Sequence, residues 1–330
     1  MSASIIQPVG DFDTEYAALT QGCGLAQWSE RTLIELTGAD RASFLHNFST
    51  NDINQLDPTH SCELFITDVK GKTLGHGIVL CRAESLLLET TAGQAERLIA
   101  HLDRYLLREQ VTLEDRSQQW EQILLAGPQA GETIRSCFPI DLPQQPLDHA
   151  DFEIDGHNLS VYRTDFFGLE GFCLLAASEA VQRLAERLVQ SVVVCGSAAV
   201  NAVRLEAGTP WYGVDITDDN LPQEVARDQR AISFDKGCYL GQETVARIDA
   251  LGHVNRSLAG VRFTAPEVPA RGTPLLSQEN SVGVVTSAAF SPRLAAPLAL
   301  AYLRRGHEQP GTPLESPAGP AEVVRLPLEK

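Results

Sequence analysis

Basic side chains are scarce in this sequence of 330 residues, where 26 Lys and Arg stand against 43 Asp and Glu for a formal net charge of −17. A surface so acidic repels phosphate backbones, which argues against a broad nucleic-acid groove while leaving room for a local basic pocket. Within residues 1–60 only Arg31 and Arg41 are basic. Paired cysteines are missing as well. Cys23, Cys62, Cys81, Cys137, Cys173, Cys195 and Cys238 are scattered, odd in number and never spaced C-x-x-C, unlike a secreted disulfide framework or a zinc ribbon. The opening MSASIIQPVGDFDTEY has no basic stretch followed by an apolar run, so no secretory leader is expected. No stretch reaches about 18 uninterrupted apolar residues, which removes the expectation of a membrane helix. H-E-x-x-H, G-x-S-x-G, G-x-G-x-x-G and the full P-loop pattern G-x-x-x-x-G-K-[ST] are all absent. The expectation is a cytoplasmic protein in a reducing compartment, with no bound metal, no membrane and no stable nucleic-acid partner.

What is present reads as a globular chain: 43% hydrophobic and 21% charged residues fall in the ordinary range. Asp40–Phe48 is expected as a short helix capped by Asp40, with Phe44, Leu45 and Phe48 at helical spacing. Cys62–Val69 and Thr73–Cys81 read as a hairpin turning at Lys70-Gly71-Lys72, followed by a strand at Ser85–Thr90. Ala95, Leu98, Ile99, Leu102 and Leu106 mark one face of an amphipathic helix. Val111–Glu114 and Trp120–Ala126 are further strands. Beyond a Pro-rich bridge at Pro139–Pro146 come strands at Asp151–Ile154, Asn158–Arg163 and Gly171–Ala177, then a helix capped by Ser178. Connections this short suit antiparallel pairing, since parallel crossovers need a dozen or more residues. The fold class is therefore α+β. Ser197 starts another helix that Gly208 ends. Beyond Gly252, short strands broken by Pro and Gly (Leu258–Phe263, Val282–Thr286, Leu298–Leu303, with an edge strand in Ala321–Leu326) suggest a small terminal β-barrel. This divides the chain into parts at 1–140, 141–252 and 253–330.

The chemistry concentrates between Arg204 and Arg247. Arg204 and Glu206 lie about 200° apart on a helix, so they face different neighbours. They form either a helix-to-loop tie or the wall of a small-molecule pocket, to which Trp211 and Tyr212 add flat amphipathic surfaces. In Phe234-Asp235-Lys236-Gly237-Cys238-Tyr239-Leu240-Gly241-Gln242-Glu243, two glycines flank a cysteine beside a lysine. Lys236 and a helix N-terminus would favour the Cys238 thiolate, the case for a reactive sulfur. A buried, inert thiol is the competing reading.

Lys236–Glu243 resembles the K-G-C-Y-x-G-Q-E signature of the YgfZ-type folate-binding proteins, relatives of the glycine-cleavage aminomethyltransferase (T-protein). The resemblance extends over most of the chain: Leu36–Asp40, Phe44-Leu45, Thr50–Asp52, the Asp68–Gly71 turn, Arg204–Gly208 with Tyr212-Gly213 and Asp215, Leu221–Glu224, and Gly283–Ser287 with Ser291-Pro292. It implies an aminomethyltransferase-like three-part ring around a central folate channel, and tetrahydrofolate as cofactor. It also implies a role in iron–sulfur cluster assembly or repair, with indirect effects on tRNA modification and iron–sulfur client or assembly proteins as partners. On this reading Asn51, Asp52, Arg204, Glu206 and Trp211 bind or surround the pterin. Cys238 acts beside it, Lys236 tunes the thiol, and Gln242 and Glu243 hold the loop. The aminomethyltransferase N-A-x-N-x-x-K-D-like stretch is replaced by Glu89–Glu96, and the T-G-E segment by Phe167–Gly171, where Glu170 could substitute. The rival reading is a folate-dependent aminomethyl- or methyltransferase with Glu96 or Asp103 as base.

Overall fold

The computed structural model describes residues 7–8, 10–28 and 31–329; Met1–Ile6, read above for a leader, lie outside them. Helix α1 (Phe12–Gln21) precedes strands β1 (Gly24–Gln27) and β2 (Arg31–Thr37), then α2 (Arg41–Phe48). The β3–β4–β5 meander (Ser61–Thr67, Thr73–Cys81, Ser85–Thr91), α3 (Ala95–Asp103) and β6 (Thr112–Asp115) follow. Next come β7 (Trp120–Ala126), α4 (Ala130–Cys137), β8 (His149–Ile154), β9 (His157–Thr164), β10 (Gly171–Ala177), α5 (Ser178–Leu188), β11 (Val193–Cys195) and α6 (Ser197–Glu206). A 3₁₀ turn at Pro222–Val225, α7 (Asp228–Ala231) and α8 (Gln242–Leu251) lead into the last part. That part holds β12 (Arg256–Phe263), β13 (Pro274–Ser277), β14 (Asn280–Ser291), β15 (Ala296–Arg304), β16 (Pro313–Leu314) and β17 (Ala321–Val324).

Three sheets result. One runs β3-β4-β5-β2-β6, a second β11-β1-β7-β10-β9-β8, and the third β13-β14-β15-β12-β17-β16. The third closes on itself where Leu276 and Glu315 exchange backbone hydrogen bonds of 2.8 and 2.9 Å, giving the expected terminal barrel. The α+β fold class holds, with one parallel pair, β1 against β11, among antiparallel ladders. The sheets cut the chain differently from a boundary at 140: β1 and β7 pair in the same sheet as β8–β11, so residues 31–115 form an insertion with a sheet of their own. Strand periodicity reveals which face is apolar but not which partner a strand takes.

The period of two organises the packing. Ile123 and Leu125 of β7 face α4 and α5 through Ile134, Leu184 and Leu188, whereas Leu124 and Ala126 face the other way. There they join Val200 and Val203 of α6 and Ile78, Leu80 and Leu87 of the first sheet. The opposite face of that sheet, with Val79 and Leu88, buries Phe44 and Leu45 of α2 and Leu98 and Leu102 of α3. Two caps differ from expectation. Asp40 makes no side-chain cap bond to α2 and instead accepts from the Gln110 backbone N–H at 2.7 Å. Ser178 is the first residue of α5 rather than its cap.

Candidate functional site

A cleft opens beside the first sheet. Arg31 at the start of β2, His76 and Gly77 of β4 and Thr91 at the end of β5 form one wall, and Trp28, Phe166, Phe167 and Thr209–Tyr212 form the rest. Trp28 meets Trp211 edge-on at 6.0 Å between centroids and Phe167 at 5.7 Å, so aromatic faces line a slot. The Phe166–Phe167 turn is fastened to the strap after α6 by the Thr209 hydroxyl, which donates to the Phe166 carbonyl. Arg31 holds Glu89 at 2.9 Å and its guanidinium lies 5.4 Å over the Trp28 ring. The Thr91 hydroxyl is buried and has no partner among the described residues. Among the described residues no carboxylate lines this cleft.

Behind the His76 wall sits a buried charge cluster. Glu63, fully buried, takes His76 Nε2 at 2.7 Å, Arg227 at 2.7 and 2.5 Å, and Arg230 at 3.1 Å. Burial alone raises such a carboxyl, but the Arg227 guanidinium and the hydrogen bonds from His76 and Arg227 outweigh it and hold Glu63 well below the usual range. Arg230 continues to Asp165 through two bonds of 2.8 and 2.5 Å.

Of the residues expected to anchor a pterin, only Trp211 lines the cleft. Arg204 is 1% exposed and pairs with buried Asp215 at 2.5 Å; it reaches the cleft only by lying 4.4 Å over Trp211. Asp215 in turn accepts from Thr286 at 2.6 Å and Ser287 at 2.5 Å, tying α6 to the barrel. Glu206 accepts from Tyr16 of α1 at 2.8 Å and Ser291 of the barrel at 2.5 Å. The helix-to-loop tie is thus what Arg204 and Glu206 make, and their opposed angular positions put them on different neighbours. Asn51 donates to the Glu63 and Arg230 carbonyls at 2.8 and 2.9 Å, and Asp52 lies 3.2 Å from His46. Glu170 pairs with Arg163 at 3.4 Å away from the lining, and Glu96 and Asp103 are exposed on α3.

The Lys236–Glu243 loop drapes over the end of α2. Lys236 Nζ donates to the carbonyls of His46 at 2.6 Å and of Ser49 and Asn51 at 2.7 Å, while the Leu240 N–H reaches the Asn47 carbonyl at 2.9 Å. Burial pulls the Lys236 pKa down to about 8, with Asp52 opposing. Its three N–H bonds are all engaged, so it is a clamp of the loop and leaves no donor for the Cys238 sulfur. Holding the loop is a role that the expectation of thiol tuning did not include. Cys238 is exposed, unlike the sealed thiol of the competing reading. Gly241 is required by sterics: its φ is +85°, and a Cβ there would come 2.4 Å from the Asp68 carbonyl and 2.8 Å from Gly71 Cα. The Asp68–Gly71 turn and the cysteine loop therefore pack glycine against glycine. Gln242 Oε1 accepts from the Tyr239 N–H at 3.3 Å, holding the loop as it enters α8; Glu243 stands in the first turn of that helix.

Residues 9–236 match the family described as GCVT N-terminal domain, and residues 256–330 match the Glycine cleavage T-protein C-terminal barrel domain. The chain belongs to the glycine cleavage T-protein family. Among relatives named aminomethyltransferase, that of Synechococcus sp. (strain RCC307) is 29% identical over 326 residues, covering 95% of this chain and 89% of that protein. The one from Halalkalibacterium halodurans is 27% identical over 311 residues, covering 90% and 83%. The crystal structure of glycine cleavage system aminomethyltransferase T from Bartonella henselae superposes with a TM-score of 0.86 at 23% identity, covering 96% of this chain and 88% of that one, so the T-protein fold is shared. Reading the sequence missed Trp28, Arg31, His76, Thr91, Phe166 and Phe167 as cleft residues. Arg31 carried a signal, as one of two cations in an acidic first sixty residues.

Proposed function

We propose that this T-protein family member binds tetrahydrofolate or a one-carbon derivative in the Trp28–Trp211 cleft and works as a YgfZ-type factor. In that role it supports iron–sulfur cluster assembly or repair, and through iron–sulfur clients tRNA modification. The cleft residues fit a pterin: aromatic faces for a flat ring, and the unpartnered Thr91 hydroxyl for its polar edge. Trp28, Trp211 and Phe167 would hold the ring, and Arg31 supplies a cation in an otherwise acidic protein. Tetrahydrofolate, when bound, supplies nitrogen atoms that carry one-carbon groups.

The observation that carries the reading is that the acids beside the described lining, which itself holds no carboxylate, are already engaged. Glu63 is locked by two arginines and Glu89 by Arg31 and Tyr162, at 2.5 Å from the phenol oxygen. Neither is free to serve as a base in aminomethyl transfer. The exposed Cys238 supplies the sulfur that meets iron or sulfide at a client or assembly protein. One cysteine cannot build a four-thiolate cluster site, so any cluster is shared or in transit. A second reading, a folate-dependent aminomethyltransferase, is favoured by the names of the relatives that match more than nine-tenths of the chain.

Calorimetric titration with tetrahydrofolate should show binding that Trp211→Ala weakens at least about tenfold, as expected for loss of an aromatic wall. Mixing the protein with tetrahydrofolate and an aminomethyl-loaded carrier protein should give no methylene-tetrahydrofolate; turnover would establish the transferase reading. Cys238→Ala should keep folate affinity yet fail to restore iron–sulfur enzyme activity in cells lacking the protein. Full restoration would remove the sulfur from the mechanism.

A further inference from the structure

His76 stands on the cleft wall with its ring tilted 31° against Phe65 at 4.8 Å and only 8% of the residue exposed, so its orientation is set by packing. Its Nε2 lies 2.7 Å from Glu63 Oε1. An ionised carboxylate only accepts hydrogen bonds, so Nε2 carries the proton. Around it, Arg227 and Arg230 pair with Glu63 and Asp165. The neutral ring is left with a lone pair on Nδ1. Among the described residues no protein group bonds to Nδ1. The Thr91 hydroxyl, on the neighbouring strand of the same cleft, is buried and also without a partner. An acceptor and a hydroxyl on one wall complement a cyclic amide edge, an N–H beside a carbonyl.

We infer that His76 is the specificity-determining acceptor of the cleft: Glu63 fixes its tautomer, and Nδ1 accepts a hydrogen bond from the N–H edge of a flat heteroaromatic ring, with Thr91 meeting the adjacent carbonyl. Resting on the folate reading of the cleft, the inference assigns these two side chains to the 2-amino-4-oxo edge of the pterin.

The test combines nitrogen NMR with titration. In the free wild-type protein, long-range proton–nitrogen spectra of the histidine rings, assigned with His76→Gln, should show His76 protonated on Nε2 and bare on Nδ1. Adding tetrahydrofolate should move the Nδ1 resonance strongly and leave Nε2 bonded to Glu63. His76→Phe, which keeps a ring against Phe65 but removes the acceptor, should weaken tetrahydrofolate binding about ten- to a hundredfold, the effect of one unpaired buried polar group. His76→Gln, which restores an acceptor, should recover part of the loss. Thermal melts establish that both variants fold. Protonation on Nδ1 in the wild type overturns the inference whatever the variants do. Folate binding that His76→Phe leaves unchanged overturns it too, while the folate reading stands. Failure of wild-type protein to bind tetrahydrofolate overturns both.

Discussion

Glu63→Gln removes the carboxylate that pairs with Arg227 among the described residues, and its consequence follows from the geometry. Three groups lose a carboxylate, but not equally. Arg230, a third exposed, keeps its two bonds to Asp165. His76 is neutral in the arrangement derived above and can still donate to the amide oxygen. Arg227, with a side chain 10% exposed, is left as an unpaired buried cation. Breaking a buried pair from one side costs about 3–5 kcal/mol, a large share of the roughly 5–15 kcal/mol that holds a domain folded. At a urea slope of about 3 kcal/mol per molar, the midpoint should fall by more than about 1 M. The loss also has a pH signature. The folded-state pKa of Glu63 lies far below the ordinary 4.5, so its contribution is complete above that value and disappears as the pH falls toward the folded pKa. Urea melts of both proteins from pH 8 to pH 3 should show a constant gap at neutral pH that narrows below about 4.5. A gap under about 1 kcal/mol at pH 7, or one that does not narrow in acid, would refute the account of the cluster.

Two further perturbations test the struts that hold the site. Lys236→Met orphans the carbonyls of His46, Ser49 and Asn51, each worth about 1–3 kcal/mol if it stays dry; amide exchange at residues 46–51 and 236–240 should accelerate first, and unchanged exchange there would show that the loop needs no clamp. Asp215→Ala leaves Arg204 charged and 1% exposed without a partner and cuts the bonds to Thr286 and Ser287, so the urea midpoint should drop by about 3–5 kcal/mol equivalent and Trp211 fluorescence should change. A stable variant with native fluorescence would show that the Glu206–Ser291 contact suffices to join α6 to the barrel.

Local chemistry made much of the architecture legible before any coordinates. Short continuous apolar runs place β4, β7 and β10, the glycine turn at Gly71 closes the β3–β4 hairpin, and the Asp155-Gly156 pair, with φ of +52° and +78°, turns β8 into β9. The caps were the weak point at this level. Asp40 and Ser178 have the right side chains for capping, yet a neighbouring loop claims the first and the second starts one position late. The Lys236–Glu243 loop was visible because its glycines, cysteine and lysine are contiguous, and the resemblance it carries pointed to the family.

Sequence by itself therefore determined the α+β class, the terminal barrel and the absence of C-x-x-C cysteine pairs. Tertiary structure alone decided who partners whom. Lys236 clamps residues 185 to 190 positions away, and Glu63 finds Arg227 164 positions on. The cleft gathers Trp28, His76, Thr91, Phe167 and Trp211 from five separate stretches. Charged side chains give no local sign of burial, because an arginine or glutamate is written the same way whether water or an opposite charge surrounds it; only the folded chain brings the opposite charge within reach and removes the water.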